Sequence, residues 1–134
     1  MVEYSGMYTH LRDEHFDEFL KAIGTGFLVR KIATNSFPSV EIKVNGDSWS
    51  IETKTLPKTW SWTFKIGQEI MLEFFPYSDV KAVFTLDGNN LLQTNPDDPD
   101  VITERVFTDD GMEQKMTHKP SNTVCRRYFK REKV

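Results

Sequence analysis

From Pro38 onward the chain alternates apolar and polar residues with a period of two, and this pattern limits the fold more than any other feature. Val40, Ile42 and Val44 alternate with Glu41 and Lys43, and Trp49, Ile51 and Thr53 with Ser50, Glu52 and Lys54. Trp60, Trp62, Phe64 and Ile66 alternate with Ser61, Thr63 and Lys65. Successive strand side chains point to opposite faces, so each run predicts a half-buried strand. Turn signals separate the runs: Asn-Gly in VNGDS, then IGQ (66–68), LDGNN (86–90) and TDDGM (108–112), with a denser loop at TNPDDPD (94–100). Ten strands are expected, near 5–13, 38–45, 48–55, 59–66, 69–75, 79–87, 90–95, 100–108, 112–118 and 121–131. Strands joined consecutively by tight turns form a meander, and a meander this long closes on itself to remove its edges. The expectation is a mainly β chain of one domain, 1–134: a ten-stranded antiparallel up-and-down barrel. Such a barrel is wide enough to hold one small ligand.

One segment departs from the period of two. Phe16, Phe19, Leu20 and Ile23 fall at i, i+3, i+4 and i+7, the stripe of an amphipathic helix. Gly24 and Gly26 interrupt it, and FLVRKIA (27–33) resumes with a second short helical run, for which Thr25 is the expected N-cap. A helix-turn-helix over about 16–34 is therefore placed to cap one end of the barrel.

The remaining composition narrows the function. Ten Phe, three Trp and four Tyr supply enough apolar surface for a core or a lined cavity. A net charge of −3 argues against a nucleic-acid partner, which needs a basic face. No run approaches the roughly 18 apolar residues of a membrane span, and the N-terminal stretch is too polar for a secretory signal. The single cysteine leaves no disulfide framework, so the expected compartment is the cytoplasm. The three histidines are scattered, and no zinc, hydrolase or phosphate-loop motif occurs. Neither a cofactor, a metal nor a catalytic residue is expected.

Six stretches in this order are specific: GMY and HFDEFLKAIGTGFLVRKIA within 6–33, P-VEI--NGD (38–47), FKIGQE (64–69), VKAVFTLDG (80–88), TERVFTDDG (103–111) and VCRRYFKRE (124–132). Together they make the chain resemble the intracellular lipid-binding proteins, the fatty-acid-binding and cellular retinoic-acid-binding family. The resemblance implies a β-clam, that is, a ten-stranded barrel with a helical lid around a partly hydrated cavity. It also implies a monomeric, non-enzymatic carrier of a long-chain fatty acid. VRKIA (29–33) and VEIK (40–43) resemble the retinoid branch, so a retinoic acid carrier is the nearest alternative. A rival of another class is an interaction protein that uses a hydrophobic portal rim; a lipid-directed isomerase or esterase ranks third.

In the family two internal arginines and a tyrosine hold the ligand carboxylate. One arginine matches Arg105 in TERVF. The Cys-x-Arg-x-Tyr-x-basic-Glu run of the last strand gives Cys125, Arg127, Phe129, Arg131 and Glu132, with Phe129 at the tyrosine position. The rival register, Arg126 and Tyr128, recovers the tyrosine but loses the flanking matches. Physical pairing also favours burying Cys125 with Phe129 over Val124 with Lys130, and a one-residue slip would reverse the whole strand. Cavity and portal residues are expected at Phe16, Leu20, Ile23 and Ala33 of the lid, and at Pro38, Val40, Ile51 and Thr53 of the following strands. Leu56, Trp60, Trp62, Phe75, Thr103 and Met116 complete the expected cavity and portal set. Phe74, Phe75 and Tyr77 beside Pro76 form the expected greasy rim. Lys21, Arg30 and Lys31 are expected on a solvated lid face; family members use basic residues there for membrane contact or nuclear entry.

Overall fold

Every alternating run is a strand, and all ten strands join one sheet. The computed structural model describes residues 4–55, 59–74 and 77–132. The strands are β1 (Gly6–Glu14), β2 (Ser39–Asn45), β3 (Ser48–Lys54), β4 (Thr59–Lys65) and β5 (Glu69–Phe74), then β6 (Tyr77–Asp87), β7 (Asn90–Thr94), β8 (Val101–Phe107), β9 (Gly111–His118) and β10 (Thr123–Arg131). The sheet runs β4-β3-β2-β1-β10-β9-β8-β7-β6-β5. Each strand pairs with its sequence neighbours, and β1 with β10 joins the two halves. β4 and β5 approach without pairing, so the barrel is nearly closed.

Turn chemistry sets the hairpins. Asn45 pairs with Ser48, leaving Gly46 and Asp47 as a two-residue loop. Gly46 sits at φ 64°, where a side chain would be strained.

The lid consists of α1 (Phe16–Ala22) and α2 (Phe27–Thr34). Thr25 does not cap α2: the N-cap is Gly26, and Thr25 is buried instead. Its backbone carbonyl accepts a hydrogen bond from Arg30 Nη1 at 2.7 Å. Arg30 is also not part of a free solvated face, because its Nε donates to Asp17 at 3.1 Å and ties α2 to α1. Lys21 and Lys31 are exposed.

Apolar packing divides the interior in two. At the closed end Tyr8, Ile42, Trp49, Phe64, Phe84, Leu91 and Phe107 form the main core. Phe64 and Phe84 stack with ring centroids 3.8 Å apart. Beneath the lid Phe16, Phe19 and Leu20 pack on Met116 and Cys125.

β1 carries an irregularity between His10 and Arg12. A bulge shifts the alternation by one residue. His10 faces inward before it; after it Asp13 faces inward, while Arg12 and Glu14 point outward.

Candidate functional site

Between the two apolar clusters lies a cavity of about 420 Å³. This is within the range of small-molecule sites. Phe16, Leu20, Ile23 and Ala33 line it from the lid. Pro38, Val40, Ile51, Thr53, Trp60 and Trp62 line it from β2 to β4 and the entry to β2. Thr103, Arg105, Met116, Arg127 and Phe129 complete the far wall. Two expected portal residues, Leu56 and Phe75, lie outside the described residues, as do the side chains of the rest of the aromatic rim, Phe74 and Tyr77.

Pairing across four adjacent strands brings Arg105 (β8), Gln114 (β9), Arg127 (β10) and Asp13 (β1) into one inward row. Arg105 is 6% exposed. Its Nη1 donates to Gln93 Oε1 at 2.9 Å, and its guanidinium lies 5.8 Å from the Trp62 ring centroid. Burial pushes its pKa down to about 10, so it is still a cation at neutral pH. Among the described residues no carboxylate pairs with it.

Arg127 is placed differently. Its Nε donates to Asp13 Oδ1 at 2.8 Å, and its guanidinium lies over Phe16 at 4.1 Å from the ring centroid. Nη2 is buried and has no hydrogen-bond partner among the described residues. Phe129 is buried beside it, edge-on to His10 at 5.6 Å.

The other face of β10 lies outside the barrel. Arg126 pairs with Glu113 at 3.1 Å. Tyr128 donates its hydroxyl to Glu14, and the Arg12 guanidinium stacks over its ring at 4.0 Å. The hydrogen bond from Tyr128 holds the Glu14 carboxyl below its ordinary pKa and raises that of the phenol. Arg126 and Tyr128 therefore do not line the cavity.

The cavity also uses residues not expected in its lining. Phe19, Thr25, Val29, Ile32 and Ser36 add lid contacts, and Thr55 adds one at the portal. Gln93 and Gln114 add neutral polar groups to the far wall, and Met112 an apolar one. The two glutamines had a signal: each occupies an inward position in an otherwise apolar alternation, Leu91-x-Gln93 and Met112-x-Gln114-x-Met116. Asp13, which holds Arg127 from behind the lining, had none, because simple alternation from Tyr8 would place it outside.

The family model that matches residues 5–131 is the lipocalin / cytosolic fatty-acid binding protein family. The chain belongs to this family. It is 37% identical over 130 residues to sodium/calcium exchanger regulatory protein 1 of Doryteuthis pealeii, covering 97% of each chain. It is 32% identical over 139 residues to cellular retinoic acid-binding protein 2 of Mus musculus, covering 98% of this chain and all of that one. Among solved structures, the REP1-NXSQ fatty acid transporter superposes with a TM-score of 0.89 at 35% identity. That match covers 97% of this chain and 96% of the other.

Proposed function

We propose that this chain is a non-enzymatic carrier that encloses one long-chain fatty acid, working as a monomer in the cytoplasm. The observation that carries this reading is Arg105: a buried cation whose one hydrogen-bond partner among the described residues is an amide, in the wall of a largely apolar cavity. A buried guanidinium is costly unless an anion joins it. A ligand carboxylate supplies that anion, and arginine's fork of donors matches it. The acyl chain then lies toward Val40, Ile51 and the lid, where burial stabilises it by about 0.8 kcal/mol per CH₂, less the cost of ordering ligand and lid. Arg127 offers its free Nη2 to the same head group. Phe129 packs without donating, and water bridges part of the contact that a phenol would make. Exposed Phe27, Leu28 and Ile32 on α2, beside Lys31, support brief membrane contact during loading.

The test compares hexadecanoate with hexadecanol by calorimetric titration. Arg105→Gln should weaken acid binding roughly 10- to 150-fold, the equivalent of about 1.5–3 kcal/mol for a charged hydrogen bond. The alcohol should change far less. Equal losses for both would show that Arg105 is structural and overturn the reading. A second reading, a retinoic acid carrier, is favoured by the retinoic acid-binding relative. Competition settles between the two: retinoic acid displacing hexadecanoate at substoichiometric concentration would favour the retinoid.

A further inference from the structure

The row Arg105–Gln114–Arg127–Asp13 contains two cations and one anion on the inner wall. We infer that Asp13 is a specificity-determining residue: as the built-in counter-ion of Arg127, it leaves one uncompensated cation, Arg105, and so restricts the cavity to singly charged head groups. The inference rests on the head-group reading above and adds the charge that the site accepts.

Several observations converge on Asp13. It does not line the cavity itself, and it comes beside Arg127, behind the lining, only because the bulge in β1 turns it inward. It is 16% exposed, and its Oδ1 accepts from Arg127 Nε at 2.8 Å and from His10 Nε2 at 2.7 Å. His10 is 3% exposed and held between Phe37 and Phe129, each ring 5.6 Å away, so its own position is fixed by packing. The carboxylate is thus oriented from two sides. Arg127 spends its Nε on this bond and its face on Phe16, which leaves its two Nη groups for a ligand.

The consequence is electrostatic. A carboxylate on Arg105 meets a neutral Gln114 next in the row, then an Arg127 already balanced by Asp13. A doubly charged head group spanning both arginines would place its second charge on an Arg127 whose own charge Asp13, one hydrogen bond behind it, already balances. Like charges at such separations disfavour each other strongly. Neutralising Asp13 removes that repulsion and leaves the charge of Arg127 uncompensated for the ligand.

The experiment titrates the full chain with hexadecanoate and with hexadecyl phosphate, which is mostly dianionic above pH 7. The wild-type protein should prefer the carboxylate, and equal or tighter binding of the phosphate would overturn the inference. Asp13→Asn should move the carboxylate-to-phosphate affinity ratio at least tenfold toward phosphate, and adding Arg127→Gln should abolish the shift. An unchanged ratio in folded Asp13→Asn would overturn the inference and mark the pair as a clamp between β1 and β10. If that variant does not fold, the arginines decide: Arg127→Gln should weaken hexadecanoate binding about threefold or less, against tenfold or more for Arg105→Gln. Equal losses would overturn the inference. Loss of acid-over-alcohol preference belongs to Arg105→Gln alone, so failure of the head-group reading registers separately.

Discussion

At the scale of single residues, β10 separates two kinds of tyrosine position. Phe129 lies in the cavity and Tyr128 outside it, so their substitutions should have opposite consequences. Phe129→Tyr should keep or strengthen acid binding, by up to roughly tenfold if the new hydroxyl donates to the head group. Tyr128→Phe should leave affinity within about twofold and instead change stability with pH. Glu14 is held below its ordinary 4.5, so its share of the bond is present above that value and lost as pH falls through the lowered pKa. Tyr128 is raised above its ordinary 10.0, so its share is present below that value and lost as pH climbs through the raised pKa. The melting-temperature gap between wild type and Tyr128→Phe should therefore be flat near neutrality and narrow at both ends. A gap that widens below pH 4 would contradict this. Cys125 supplies a third test. Burial pushes its thiol up to about 12, so native protein at pH 8 should resist alkylation and react only on unfolding. The inward face of β10 was legible because Cys125 and Phe129 are two strand periods apart, whereas Asp13 depends on a bulge that no residue type on β1 announces.

At the scale of elements, strands were legible and caps were not. Period-two runs located all ten strands to within two residues, because burial on one face dictates alternation. The Thr25 cap failed because tertiary burial took the side chain into the cavity wall and left Gly26 at the helix entry. The elements also differ in how firmly they are held. None of the α2 residues is buried, whereas α1 buries Phe16, Phe19 and Leu20. α2 rests on its contacts with α1 and the turn between them, including Arg30 to Asp17 of α1 and to the Thr25 carbonyl of the turn. Arg30→Ala should thus speed ligand entry and exit in stopped-flow measurements more than it changes equilibrium affinity. Unchanged rates would show that α2 does not gate the cavity. At the opposite end, β9 begins at Gly111, where a methyl group would collide with the Phe129 carbonyl on β10. Gly111→Ala should cost about 1–3 kcal/mol of stability, since neither backbone can withdraw without breaking the pairing. A denaturant midpoint equal to that of the wild type would show that the two strands separate freely.

At the scale of the whole molecule, the cavity sits where a smaller barrel would have core, and it links two apolar clusters that otherwise pack separately. A ligand filling it touches the lid through Phe16, Leu20 and Ile23 and the barrel through Val40, Ile51 and Arg105. Binding should then stabilise the fold by mass action alone. At a free concentration of a hundred times Kd the gain is about 2.7 kcal/mol, which for a chain of this length raises the melting temperature by roughly 10 °C. Hexadecanoate and hexadecanol, each at that multiple of its own Kd, should give the same rise despite unequal affinities, because linkage depends only on the ratio. What the head group changes is the concentration needed for a given rise. Hydrogen exchange locates the gain. In the empty protein, α2 amides should exchange through local opening with far less protection than those of β9 and β10. With ligand bound, lid opening must also expose the ligand, so protection over 27–34 should rise severalfold or more. If the melting temperature rises while lid protection stays put, the ligand is held by the barrel alone and the helical pair is a bystander to enclosure.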